Sequence, residues 1–277
     1  MVYSKYGRTF RQLREQLHLS LSSFSSVGIS KATLSYFERG ESMMSFDKVV
    51  SALQLMGVSL AEFEIFLNNY FPNDSDALLE DVEKANLARD ITTLKKIQKE
   101  AEEKGFPYIA LAAKSSWSSL NEEETERVID LLYDTEIWGY KELCVCLFTI
   151  DSFSTREIIS VLDILLVKDH VLFNSLEYRG YVVQVCCRAA TVLSTRNYKE
   201  YAEYALNRIA DYKLANTMFH RNLWNVTRGY WIYCFVDVYE GNEMMLKALQ
   251  TFKELANPET AEYYQGRYDL FVKNKEQ

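Results

Sequence analysis

The sequence predicts an all-α protein in two parts, a small head of short helices and a long helical body. The chain of 277 residues holds three prolines and ten glycines, too few turn formers for a sheet-rich fold of that size. Apolar residues recur every three or four positions along most of it, the spacing of a helix with one buried side. Serine, asparagine or aspartate precedes many of these runs, where a helix needs an oxygen to accept from its first free N–H groups. Hydrophobic residues make up 48% and charged residues 25%, a balance that excludes a disordered chain.

In the head, Tyr6, Phe10, Leu13 and Leu17 share one side of a first helix over Lys5–Gln16. Ser20 caps a short second helix that ends at Gly28. Ser30 caps a third, Ser30–Arg39, anchored by Leu34 and Phe37 and closed by Gly40. Ser45 opens a fourth carrying Phe46, Val49, Val50, Leu53 and Met56. A capping box, Ser59-Leu-Ala-Glu62, opens a fifth through Phe63, Phe66 and Leu67. Five short helices within residues 1–68, the second and third joined by a tight turn, make a helix-turn-helix head. In that arrangement the third helix enters the major groove. Lys31, Ala32, Thr33 and Tyr36 are then the base-facing candidates. Ser22, Ser30, Ser35, Arg39 and Ser42 are phosphate partners, and Arg8 and Arg11 reach the edge of the site. Charge agrees: residues 1–40 hold six basic side chains against two acidic ones, whereas residues 69–277 hold 24 against 33. A phosphate backbone is drawn to the head and repelled by the body.

Residues 69–75, with Pro72 among cap-type residues, form a linker, and residues 76–277 form the body. Its expected helices are Asp76–Lys84, Asp90–Lys104, Pro107–Ser118, Glu122–Trp138, Tyr140–Ile150, Ser154–Leu166, Val171–Leu193, Tyr198–Tyr212, Asn216–Glu240, Asn242–Leu255 and Pro258–Val272. Helices of this length with short connections stack as antiparallel pairs. Partial repeat patterns at Tyr198–Leu206, Gly229–Phe252 and Ala261–Tyr264 make the body a degenerate tetratricopeptide-like α-solenoid. The concave face of a solenoid takes one helix from each pair and suits a peptide. Tyr181, Gln184, Arg188, Asn222, Asn225, Arg228 and Trp231 are its candidate lining. Amides can pair with a guest backbone, arginine with a carboxylate, and aromatic rings with apolar side chains. Aromatic residues at helical spacing serve equally as solenoid core, so both readings stay open. The last two helices, with Tyr263, Tyr264, Tyr268 and Phe271, are candidates for a body–body interface, although a capping helix accounts for the same residues.

Leu19-Ser20, Gly28-Ile29-Ser30, Leu34–Ser42 and Gly57-Val58-Ser59 resemble the phage-repressor-type (XRE) helix-turn-helix. The stretch FERGES, Phe37–Ser42, followed by a long acidic helical body, resembles more narrowly the Rgg/GadR/MutR regulators of Gram-positive bacteria, within the RRNPP superfamily. The second helix departs from phage repressors in being about a residue shorter and richer in serine. The resemblance implies that Arg14 and Glu38 form a structural pair. It also implies a short secreted and re-imported hydrophobic peptide as ligand, in quorum sensing; the bound peptide is expected to alter the geometry of the two heads, contacts with RNA polymerase as a further partner, or both. A homodimer follows from the size of the head, because one recognition helix covers few base pairs and two half-sites are needed.

No apolar run reaches the ~20 residues of a membrane helix, so no membrane partner is expected. The first residues lack an export signal, and the five cysteines lie in apolar runs, which predicts reduced, buried thiols in the cytoplasm. The three histidines stand in no metal-binding spacing. No glycine-rich phosphate loop or nucleophile elbow is present. An enzyme is therefore not expected, and no cofactor or metal. Two other readings remain: a helix-turn-helix regulator of a small metabolite, and a peptide- or protein-binding scaffold without sequence-specific DNA binding.

Overall fold

The computed structural model describes residues 4–70, 72–167 and 171–273, with side chains through residue 270. All regular structure among them is helical. The chain divides into two compact units, Met1–Ala77 and Leu78–Gln277.

The first unit holds α1 (Ser4–Gln16), a 3₁₀ helix (Leu21–Val27), α2 (Lys31–Glu38), α3 (Phe46–Leu55) and α4 (Leu60–Leu67). Phe10 is its centre: its ring lies 5.7 Å from Phe24, 5.5 Å from Phe37 and 6.5 Å from Phe63, so one side chain ties four elements together. Gly7 lets α1 cross tightly over the end of α2, since a Cβ there would fall 1.9 Å from the carbonyl oxygen of Phe37. The second helix is 3₁₀ rather than α. Its serines bond one another and the backbone, Ser20 with Ser22 at 2.8 Å and Ser26 to the Ser23 carbonyl at 3.1 Å, and such local bonds compete with an α-helical ladder. Three residues expected inside are outside. Tyr6 is exposed in the first turn of α1, Leu17 lies beyond its end, and Phe46, in the first turn after Ser45, is 71% exposed.

The linker is shorter than expected, because α5 (Asp74–Leu87) starts within it, at a turn where the side chain of Asn73 accepts from the Asp76 N–H at 3.0 Å. There follow α6 (Ile91–Glu103), α7 (Pro107–Ser115), α8 (Glu122–Asp134), α9 (Tyr140–Thr149), α10 (Thr155–Leu165), α11 (Leu176–Thr195), α12 (Lys199–Asp211), α13 (Met218–Phe235), α14 (Val238–Leu255) and α15 (Pro258–Lys273). Sequence neighbours pair, α6 with α7, α8 with α9, α11 with α12 and α13 with α14. One helix of each pair also packs on one helix of the next, α7 on α9, α9 on α11 and α11 on α13. That inner layer explains why α11 buries residues on nearly every side, Val182 and Val183 as well as Cys186, Cys187 and Ala190. The body is thus an α-solenoid.

Several helix ends moved for physical reasons. The helix begun at Glu122 stops at Asp134, and Trp138 folds back so that its Nε1 donates to the Leu132 carbonyl at 3.0 Å. A 3₁₀ turn, Val171–Asn174, precedes α11, which starts only after Ser175. Between α13 and α14 the chain breaks at Val236–Asp237, where Asp237 accepts from the Glu240 N–H at 2.8 Å. Gly241 is therefore inside α14 and not a terminator. It is there because α13 presses against it: a Cβ would lie 2.2 Å from the Tyr233 backbone nitrogen.

Among the described residues no single helix is long and apolar enough to cross a membrane. Replacing Gly241 by Ala should destabilise the body by about 1–3 kcal/mol, because backbone of α13 cannot give way as a flexible side chain would. Urea unfolding of the variant, followed by helical circular dichroism, should show a lower midpoint.

Candidate functional site

The recognition surface begins with a cap. Ser30 Oγ accepts from the Thr33 N–H at 3.1 Å and shares a hydrogen bond with Thr33 Oγ1 at 2.9 Å, which starts α2 at a fixed residue. Leu34 and Phe37 then face the core, and Lys31, Ala32, Tyr36 and Arg39 face solvent, with Thr33 and Ser35 half-buried between. Ser22 and Ser42 are exposed. Arg8 folds back on Ser4, its Nη2 donating to Ser4 Oγ at 3.2 Å, and Arg11 bonds Glu15 at 2.7 Å one turn on.

What holds α2 in place is a buried ion pair. Arg14 donates from Nε to Glu38 Oε1 at 2.6 Å and from Nη2 to Oε2 at 2.8 Å, while Nη1 donates to the Leu19 carbonyl at 2.8 Å. The hydrogen bond to Glu38 raises the guanidinium pKa above its ordinary value, so the charge is permanent. One guanidinium thus fastens α1 to both the end of α2 and the turn before the 3₁₀ helix.

The body contains a cavity of about 460 Å³ on its inner layer. It is walled by α11 (Gln184, Cys187, Arg188, Thr191), α13 (Leu223, Val226, Thr227) and α15 (Tyr263, Tyr264, Arg267), with Leu147 and Phe148 of α9 and Trp117 after α7. Glu83, Arg89 and Ile91 close it from α5 and α6. Arg188 is paired across the wall with Asp151, Nε to Oδ1 at 2.7 Å with a second bond from Nη2 to Oδ2. Arg89 reaches α15, donating to the Tyr263 carbonyl at 3.3 Å. Burial raises the Glu83 carboxyl above the ordinary carboxylate range; Glu80 adds to the rise, and a hydrogen bond from Tyr181 offsets only part of it. Burial likewise pushes the Cys187 thiol up to about 12, so it lines the cavity as a neutral group.

Gln184 and Arg188 are the two sequence candidates that this cavity brings together. The other five lie away from it, for reasons that each bond makes plain. Asn222 is buried and donates to the Ala248 carbonyl at 2.8 Å, locking α13 to α14. Trp231 is buried and donates to the Lys199 carbonyl at 3.1 Å; Arg228 lies 4.3 Å over its ring and 4.0 Å from Glu203. Tyr181 packs against Tyr140, ring centres 5.2 Å apart. Asn225 is half-buried outside the cavity wall. Missed as cavity lining were Tyr263 and Tyr264, which the sequence offers for a body–body interface or a capping helix, and Arg267, which it does not single out. Within the chain Tyr264 stacks on Phe252 at 4.6 Å, and Tyr268 donates to Asn242 Oδ1 at 2.7 Å. The side chain of Phe271 lies outside the described residues. The spacing of Gln184, Cys187, Arg188 and Thr191, one stripe of a helix otherwise apolar, was the available signal.

A capped recognition helix in one unit and a walled cavity on the inner layer of a helical-repeat unit define a class, the helix-turn-helix regulators with a solenoid body. Comparison with known proteins narrows it. Residues 79–266 match the model of the C-terminal domain of the helix-turn-helix transcriptional regulator Rgg, and residues 5–65 match a helix-turn-helix domain model. The chain belongs to the Rgg family of transcriptional regulators. The SHP pheromone receptor Rgg2 of Streptococcus dysgalactiae has the same fold, at 22% identity over 96% of this chain and 99% of that one, with a TM-score of 0.76. A candidate transcriptional regulator from Listeria monocytogenes EGD-e is similar at 17% identity over 99% of both chains, TM-score 0.80. The PrgX/cCF10 complex is similar at 12% identity over 97% of this chain and 92% of that one, TM-score 0.69.

Two outcomes follow from these groups. Glu38→Gln leaves the Arg14 charge buried without its counterion and should cost about 3–5 kcal/mol, much of it recovered when Arg14→Met is added. Chemical denaturation of the two variants measures both values. Glu83→Gln should stabilise the body at neutral pH. Because the folded carboxyl titrates above its unfolded value, the wild-type chain gains relative stability as pH falls through that raised range. The gap between the two melting temperatures should therefore close on acidification.

Proposed function

We propose that this chain is a homodimeric transcriptional regulator that binds a short hydrophobic peptide in the cavity of its solenoid body and reads a two-half-site operator with α2. The observation that carries this reading is the cavity itself, apolar on α9 and α13 and polar at Gln184, Arg188 and Arg267, in the same chain as a recognition helix. A peptide backbone finds an amide at Gln184, its apolar side chains find Leu147, Phe148 and Val226, and a carboxylate finds Arg267 or Arg188. Arg188 already holds Asp151, so an incoming carboxylate there exchanges with an internal one. Structures related to this chain include a pheromone receptor and a PrgX/cCF10 complex, which supports the peptide as ligand class. Regulation requires different peptide affinities for two states of the protein. The cavity walls come from both ends of the repeat series, so occupancy acts on α5, α6 and α15 together. A contact to RNA polymerase and a cytoplasmic setting belong to the same proposal.

A second reading has one observation in its favour. A volume of about 460 Å³ with convergent polar groups lies in the range that small molecules fill. A metabolite would then take the place of the peptide, with the DNA-binding half unchanged.

Selection of bound duplexes from a random pool should return a twofold-symmetric site. Lys31→Ala and Tyr36→Ala should each weaken binding to it by about 1–3 kcal/mol and relax sequence preference at one position per half-site. Calorimetric titration with a library of short hydrophobic peptides should find binders that Gln184→Ala and Arg267→Ala weaken about tenfold each, on the scale of one charge-assisted or neutral hydrogen bond. Saturation by a small metabolite with no peptide binding would select the second reading, and an unenriched DNA pool would remove the operator-reading role.

A further inference from the structure

Arg39, at the end of α2, has its hydrogen-bonding edge already in use. Its Nε donates to Glu41 Oε1 at 2.5 Å and its Nη2 to Oε2 of the same carboxylate at 3.0 Å, while Nη1 donates to Ser35 Oγ at 2.6 Å. The guanidinium lies over the Tyr36 ring, 5.0 Å from its centre. Both charged side chains are 47% exposed, on the side of the head that carries Lys31 and Tyr36. Backbone bonds fix the return of the chain: the Gly40 N–H donates to the Phe37 carbonyl at 2.9 Å and the Glu41 N–H to the Tyr36 carbonyl at 2.9 Å. Glu41 is thereby delivered to Arg39 by the turn. The bond from Arg39 holds the Glu41 carboxyl below its ordinary range, so it is an anion at neutral pH.

A carboxylate gripped by two parallel N–H groups has the geometry with which arginine grips a phosphate. We propose that Glu41 is a built-in substitute for a DNA phosphate, which keeps Arg39 engaged in the free protein and lowers the affinity of the head for any duplex. DNA arriving at α2 must displace Glu41 to recruit Arg39, and the displaced carboxylate then faces a polyanion. The remaining recognition surface bears the selectivity, since Lys31, Ala32 and Thr33 carry no such mask. This rests on the reading of α2 as the DNA-facing helix.

The test measures binding of the full chain to a labelled mixed-sequence duplex by fluorescence anisotropy across a salt series. Four proteins are compared: wild type, E41Q, R39A and the double variant. The proposal expects E41Q to bind about 1.5–5-fold tighter, the range of one exposed pair, with the salt slope steeper by about 0.9 from one recruited phosphate contact. R39A should bind within about twofold of wild type, and the double variant should gain less over R39A than E41Q gains over wild type, so that part of the gain depends on Arg39. An equal gain with and without Arg39 means plain charge repulsion and overturns the proposal, as does no gain at all. A loss of tenfold or more in R39A alone shows Arg39 already on DNA and overturns it too. Lys31→Ala separates the two levels: if it weakens binding while the Arg39–Glu41 coupling is absent, only the masking idea falls. Absence of any duplex binding by the wild type at low salt removes both.

Discussion

A helical pair cannot bury its own hydrophobic side, and the body of this protein is the consequence. One helix of each pair must be covered by its partner and by the inner helices before and after it, so α7, α9, α11 and α13 form a continuous inner layer. A helix covered on so many sides can afford few polar groups. The polar residues that α11 and α13 do carry fall into two kinds: those spent on neighbouring backbone, as Asn222 and Trp231 are, and those left on the strip that borders the cavity, as Gln184 and Thr227 are. The same packing rule that builds the solenoid also decides where a ligand can be received.

The head solves a different difficulty. A unit of under eighty residues has little core to spare, and it centres that core on one ring, Phe10, while burying an ion pair beside it. Burying two charges brings little net stability, but it fixes direction: Arg14 satisfies a carboxylate on α2 and a carbonyl before the 3₁₀ helix at once. Together with the tight crossing at Gly7, this sets the pose of α2 without any contact from its outer side. Lys31 and Ala32, on the outer side, are thereby left exposed.

Much of the fold was legible in the sequence because its signals are local. Ser30, Ser59, Asn121 and Ser154 each cap the helix they precede, and the apolar spacing after them gives its length. The failures have a common origin in long-range contacts. Gly241 looks like a stop signal, yet its meaning comes from Tyr233 on the facing helix. Asn222 and Trp231 look like ligand contacts, since a polar group on an apolar stripe has the same appearance whether its partner is a guest or a carbonyl 26 residues away in the case of Asn222. Tyr263 and Tyr264 suggested an exposed surface because nothing local indicates that α15 folds back to wall the cavity. The helices could be read one at a time, but the cavity belongs to seven of them at once.

The position of α15 also orders events during synthesis. The head's aromatic centre is complete once Phe63 has been made, whereas the cavity lacks a wall until Arg267 emerges. At ordinary ribosomal speed that interval is roughly ten to forty seconds, with domains folding as they appear. A nascent chain therefore owns a finished head well before it owns a closed cavity.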